Sequence, residues 1–241
     1  MSENRNFLSL ELDQFFHAGH STDKAPRLQF EATPYGFRYA AIRKPIANPD
    51  TDQYVRTTLF IAPFTVLIPP NDRYNLAQML IPVDDVNTMF YWVAWHPDPA
   101  KGIAQDDWRA FCHARPGVDL DADWRKLRNR ANRYQQDRAA MRRGDWTGIK
   151  GIPTQDMAMW ESMGPIADRS LEMPATSDLA VAQFRRMMIA AARHFRDGGA
   201  AIGTAEPRVP HVELASFEGV VPKSTDWRTL DVQAREASAA V

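Results

Sequence analysis

Two carboxylates, Asp156 and Glu161, stand five residues apart in the stretch Gln155-Asp-Met-Ala-Met-Trp-Glu161, among Met157, Met159, Trp160 and Met163. A carboxylate set among polarizable apolar side chains is costly unless it is paired, hydrogen-bonded or bound to a metal. The same string also fits a helix with an apolar face and two solvated acids, and the pattern alone leaves both readings open. Imidazoles are the other candidate ligands. His17 and His20 are three apart, so on a helix they share one side, with Asp13 just upstream. His20 equally reads as a solvated loop residue before Ser21-Thr-Asp23. His96 and His211 stand beside prolines in turn contexts, and His113 and His194 read as helix-surface residues. Arg38 alternates with Phe37 and Tyr39, and its guanidinium fork either grips a carboxylate or is an exposed strand arginine. Phe60, Phe90, Trp92 and Trp160 are candidates to line an aromatic pocket, and core packing explains them as well.

Other chemistries lack their residues. Gly144, Gly148 and Gly151 have the wrong spacing for a phosphate loop or a dinucleotide fingerprint, and there is no G-x-S-x-G nucleophile elbow. Cys112 is the lone cysteine, so the chain forms no internal disulfide and cannot by itself hold a Cys2His2 [2Fe–2S] cluster, which needs two thiolates. With a formal net charge of −1, nothing points to nucleic acid or an anionic membrane as partner. The basic run between Arg125 and Arg143 is interleaved with Asn, Gln and Asp and reads as a solvated helix face. No apolar run approaches the roughly 20 residues of a membrane span. Met1 to Asn6 is polar, so the expected location is the cytoplasm.

The elements that must position these residues read as strands first and helices later. Strand alternation marks 27–32 and 37–43, with Tyr35-Gly36 as the turn between them. A β-branched and aromatic run spans 55–68, with Pro63 as a bend, and 76–83 and 89–95 are two more strands. Helices are predicted at 106–113, at 123–143 and, most clearly, at 177–197. In the last, Ala180, Phe184, Met187, Met188, Ala191 and Phe195 recur at helical spacing between a Ser177 cap and a Gly198-Gly199 stop. The tail beyond Thr204 reads as loop with one late strand. Short strands joined by short turns and followed by a long helix predict an α+β fold with an antiparallel sheet.

Longer strings narrow the reading. Gln155-Asp-Met-Ala-Met-Trp-Glu-Ser-Met-Gly-Pro-Ile-Ala-Asp-Arg-Ser170 resembles the signature of the phthalate 4,5-dioxygenase-like group of Rieske non-haem iron ring-hydroxylating oxygenases. Asn132-Arg-Tyr-Gln-Gln-Asp-Arg138, Val83-Asp-Asp-Val-Asn-Thr88, Ser177-Asp-Leu-Ala-Val181 and Tyr35-Gly-Phe-Arg-Tyr-Ala-Ala-Ile-Arg43 resemble the same family in the same order. The likeness is to the catalytic domain of the large (alpha) subunit, without its Rieske domain. It implies a helix-grip (START/Bet v 1-like) fold, an antiparallel sheet around a long C-terminal helix. It also implies a division into an atypical lead-in at 1–14, the catalytic domain at 15–230 and a flexible tail at 231–241.

The resemblance implies further a mononuclear Fe(II) held by two histidines and one carboxylate, with open positions for O2. Asp156 matches the carboxylate ligand and His17 the second histidine. Gln155, Glu161 and Arg169 match partners that orient the ligands. Arg38, with Trp92 and Trp160, is the expected contact for an aromatic carboxylate. The first histidine position is occupied by Leu12 and the preceding Asp position by Ser9, two departures from the pattern. His20 at a shortened spacing is the alternative second imidazole. The function implied is O2-dependent hydroxylation or O-demethylation of an aromatic carboxylate. Electrons would come from a Rieske centre on another segment or chain and an NAD(P)H-dependent reductase, in a possible homotrimer. The alternative is a catalytically inactive remnant whose cavity at most binds an apolar ligand.

Overall fold

The computed structural model describes residues 20–69, 74–204 and 209–230. They form two compact units. Among the described residues, the first comprises 20–69, 74–81, 90–97, 173–204 and 209–230, and the second 82–89 and 98–172.

The first unit is α+β, of the helix-grip type. Strands β1 (Arg27–Thr33), β2 (Gly36–Arg43), β3 (Asp52–Ile61), β4 (Thr65–Ile68), β5 (Asn75–Pro82) and β6 (Thr88–Trp95) follow one another in an antiparallel sheet. The late strand expected in the tail is β7 (Glu218–Pro222), which pairs antiparallel with Asp52–Arg56 of β3. The turn expected at Tyr35-Gly36 falls one residue earlier, at Pro34-Tyr35, between the paired Thr33 and Gly36. Gly36 takes φ 151°, and a Cβ there would stand 2.2 Å from the Phe60 carbonyl oxygen, so only glycine lets β2 start this close to β3.

The run expected as one bent strand is a hairpin. The chain reverses at Ala62-Pro63-Phe64, across a cis peptide at Pro63, and β3 pairs β4 from Leu59↔Leu67 to Ile61↔Thr65. β3 is buried on both faces and β4 continues the same β-branched and apolar composition, so composition did not mark the reversal.

Alternation along β2 and β3 divides the sheet into two faces. Phe37 and Phe60 are buried on one, with Phe30, Tyr39 and Val66 around them, and against this face packs the long helix. That helix spans Leu179–Arg196 and contributes Ala180, Met187 and Met188, while Phe184 meets Phe60 edge-on at 5.1 Å. Each buried phenylalanine is worth roughly 1.5–3 kcal/mol. The helix starts one residue later than a Ser177 cap predicts, after a short turn over Thr176–Asp178. Asp178 closes the preceding turn by accepting the Ala175 amide at 2.7 Å, and Gly198, at φ 90°, ends the helix as expected. On the other face Ala40, Ile42 and Val55 pack on Trp227 and Leu230, and Leu59, Ile61, Leu67 and Ala77 on Val209 and Leu214.

The second unit is largely irregular. In chain order its helices are α1 (Gln105–Phe111), α2 (Arg138–Arg142) and α3 (Ile152–Ser162), and the long helix of the first unit is then α4. The helix expected over 123–143 is replaced by turns and α2. Asp121 accepts the amides of Asp123 and Arg125, Asn129 that of Ala131, Asn132 that of Asn129, and Asp137 those of Ala139 and Ala140. Trp124, Arg133, Tyr134 and Gln135 take positive φ. Good helix formers are outweighed here by short polar side chains that bond the backbone locally.

Candidate functional site

The carboxylate stretch folds as α3 because Pro153 opens it and Gly151, at φ 85°, provides the bend into it. The approach is sterically tight. A Cβ on Gly148 would lie 2.4 Å from the Asp137 carbonyl oxygen, and one on Gly151 would lie 2.5 Å from the His113 ring. The helix buries Pro153, Thr154 and Ala158 and exposes Met159, Trp160 and Met163. The apolar residues that make the string conspicuous are therefore not its packed face.

Asp156 is half-buried on α3, and burial pushes its carboxyl above the ordinary value, with Lys126 opposing. It accepts no hydrogen bond from any of the described residues. A desolvated carboxylate without donors is unfavourable alone and is relieved by a bound cation, so Asp156 fits a metal-ligand role. Glu161 differs: it is exposed and accepts the Tyr134 hydroxyl at 2.7 Å. Burial first, then that bond, raises the Tyr134 phenol to about 12. Gln155 donates to the Ile149 carbonyl at 3.0 Å, holding the Gly148–Gly151 approach to the helix. Arg169 pairs with Glu172.

Behind α3 lies a cluster that the motifs did not single out. Lys126 belongs to the basic run read as a solvated face, yet it is largely buried and donates to the Thr154 hydroxyl at 2.8 Å. Desolvation lowers its ammonium to about 8. Cys112 is buried, and burial raises its thiol to about 12. His113 follows α1 at φ 49°, with Nδ1 3.3 Å from an Arg128 guanidinium nitrogen and 3.8 Å from Asp119. Burial, then Arg128, depresses its pKa, so the imidazole is neutral at pH 7. Asp119 is buried and accepts from Arg115 at 2.9 Å. No spacing rule flags Lys126 or His113, because their burial comes from a fold-back of irregular chain.

Of the remaining candidates, Trp160 belongs to α3 of the second unit, and His20, Arg38 and Trp92 to the first. His17 lies outside the described residues, as do Leu12 and Ser9. His20 is exposed, with its ring stacked on Tyr54 at 5.3 Å and its carbonyl accepting the Ile46 amide at 2.8 Å. Arg38 lies on the face of β2 away from α4. It bonds Glu31 and stands 5.6 Å from the Trp227 ring, with Arg228 at 4.9 Å from the same ring. Arg43 shares the α4-side parity of Phe37 and Tyr39. Its guanidinium is desolvated beside Arg56 and makes no hydrogen bond or ion pair among the described residues. Trp92 stacks on Phe90 at 6.4 Å, and Trp160 is partly exposed. Among the described residues no three His, Cys, Asp or Glu side chains gather as a metal site. Nor is any described helix long and apolar enough to cross a membrane.

Residues 13–241 match the family described as LigXa C-terminal domain like. The chain is 54% identical over 215 residues to the phthalate 4,5-dioxygenase oxygenase subunit of Pseudomonas putida, covering 89% of this chain and 48% of that protein. It is 31% identical over 229 residues to the 3-chlorobenzoate-3,4-dioxygenase oxygenase subunit of Comamonas testosteroni, covering 87% and 51%. The chain thus spans about half the length of these relatives.

Proposed function

The chain belongs to the LigXa C-terminal-like family, and on that premise we propose that it is the catalytic-domain part of an aromatic ring-hydroxylating oxygenase. The observation that carries the reading furthest is Asp156: half-buried, desolvated and without a donor among the described residues, on the helix whose sequence most resembles the family signature. In this reading Asp156 is the carboxylate ligand of a mononuclear Fe(II), with His17, and His20 at shortened spacing, as its imidazoles. Bound Fe(II) supplies the centre at which O2 is activated, and a two-histidine, one-carboxylate set leaves positions open for it. Gln155 contributes by fixing the approach to α3, and Tyr134 by holding Glu161, so that one carboxylate stays uncommitted. Electrons come from a Rieske centre on another segment or chain and from an NAD(P)H-dependent reductase, with a homotrimer as the expected assembly.

The substrate class is an aromatic carboxylate. We take Arg43 over Arg38 for its carboxylate, because Arg43 shares the face of Phe37 and Tyr39 and makes no hydrogen bond or ion pair among the described residues, with Asp23 and Glu218 acting on it only at longer range, whereas Arg38 is engaged with Glu31 and Trp227. Calorimetric titration of the Fe(II)-loaded chain with phthalate and with 3-chlorobenzoate tests this. Binding of at least one acid is expected, weakened about tenfold or more by Arg43→Met, as for loss of a charge-assisted bond. Absence of heat with both acids would overturn the substrate class. Leu12 and Ser9 favour a second reading, an inactive remnant. It predicts that the chain binds no Fe(II).

A further inference from the structure

We propose that Lys126 is a positioning residue for Asp156, acting through the buried hydroxyl of Thr154 two residues earlier on α3. The inference deepens the reading of Asp156 as a metal ligand and rests on it. Thr154 is 1% exposed and takes the Lys126 ammonium at 2.8 Å, the bond that ties the first turn of α3 to the irregular chain behind it. Lys126 is itself fixed at the backbone. It bridges antiparallel to Leu120, which is 8% exposed, and its carbonyl accepts the Asn129 side-chain amide at 3.4 Å. The ammonium is therefore aimed from a braced segment, and the first turn of α3 has little freedom to rotate without breaking a charge-assisted bond in a dry environment.

The other charged and titratable groups acting on Lys126 are Asp119, Cys112, Arg128 and Glu161. Asp119 is committed to Arg115, Glu161 to Tyr134, and Arg128 reaches His113 and the Lys150 carbonyl. Among the described residues, Lys126 is the charged group that acts on the Asp156 carboxylate. Rotating α3 by the loss of the Thr154 bond would move Asp156 relative to the other ligands, and bonds of about 2 Å to a first-row metal tolerate little movement.

The test uses the full chain and the variants Lys126→Met, Lys126→Arg, Thr154→Val and the Lys126→Met/Thr154→Val pair. The first readout needs no metal: hydrogen exchange of the peptide spanning 149–163. Lys126→Met and Thr154→Val should each speed its exchange roughly tenfold, the double variant no further, and Lys126→Arg should restore most of the protection. Peptides from β2 and β3 should be unchanged, which a general loss of stability would not produce. The second readout is the Fe(II) dissociation constant under anaerobic conditions, expected to rise about 10- to 100-fold in Lys126→Met and Thr154→Val alike. Additive effects of the two substitutions on exchange would overturn the proposal, as would wild-type Fe(II) affinity in both single variants. If the wild-type chain takes up no Fe(II), the iron reading fails, and the exchange data alone still decide whether Lys126 sets the turn carrying Asp156. If Lys126→Met does not fold, Thr154→Val and Lys126→Arg carry the same comparison.

Discussion

Replacing Trp227 by alanine probes the segment that closes the face of the sheet opposite α4. Its ring is 3% exposed and packs with Ala40, Ile42, Val55 and Leu230. It also carries the Arg38 and Arg228 guanidiniums at 5.6 and 4.9 Å. Burial of on the order of 200 Å² of indole is worth about 5 kcal/mol as an upper bound. The two cation–π contacts add about 0.5–1 kcal/mol each. Against this, the indole N–H is buried without an acceptor among the described residues, which offsets roughly 1–2 kcal/mol. The contacts and the unmet N–H roughly cancel, so Trp227→Ala should lose up to about 5 kcal/mol, within the usual range for removing a core tryptophan. Arg38→Met should cost about 1–2 kcal/mol through Glu31 and the ring, and should leave affinity for phthalate within about twofold. The assay is urea-dependent hydrogen exchange of the β2 and β3 peptides, which reports the first unit and avoids averaging over the second. A loss below about 1 kcal/mol for Trp227→Ala would refute the argument that this segment completes the core. A phthalate affinity that collapses in Arg38→Met with unchanged protection would return the substrate role to Arg38.

Two further outcomes follow from the charges. Burial raises the Asp156 pKa, so the folded chain holds a proton that the unfolded chain has released, and metal-free stability falls as pH rises from 3.8 through the folded value. Asp156→Asn should therefore be more stable than the wild type at pH 7 without metal and equal to it below 3.8, as paired thermal melts at the two pH values would show. Tyr54 is fully buried and donates to Glu218, which also pairs with Arg56 at 3.4 Å. Tyr54→Phe should cost about 1.5–3 kcal/mol, typical of a bond to a charged acceptor. Chemical denaturation with loss of β7 protection would register it, and a neutral outcome would mean that water replaces the hydroxyl.

What was legible in the sequence was whatever repeats. The alternation of Phe37, Tyr39 and Ala41 gave β2 its faces, and the spacing of Ala180, Phe184, Met187 and Met188 gave α4 its contact with the sheet. Alternation sets Arg38 on the opposite face from Phe37, but it cannot say which face the helix covers, and that decides what an arginine there meets. The 123–143 segment misled because helix propensity is a sum over residues, whereas Asp121, Asn129, Asn132 and Asp137 act singly on nearby amides. The string around Asp156 was conspicuous for Met159, Trp160 and Met163, which are exposed. The groups that bear on Asp156, Lys126 and Thr154, came together by a fold-back that no local pattern encodes.

In the proposed reading Asp156 is the carboxylate ligand of a mononuclear iron. Anaerobic Fe(II) titration of the wild-type chain and of Asp156→Ala, read as iron per chain after removal of free metal, tests it most directly. About one iron per chain is expected in the wild type and essentially none in the variant, because two imidazoles without a carboxylate hold Fe(II) weakly. Unchanged iron stoichiometry in Asp156→Ala, or a wild-type chain that takes up no iron, would contradict it.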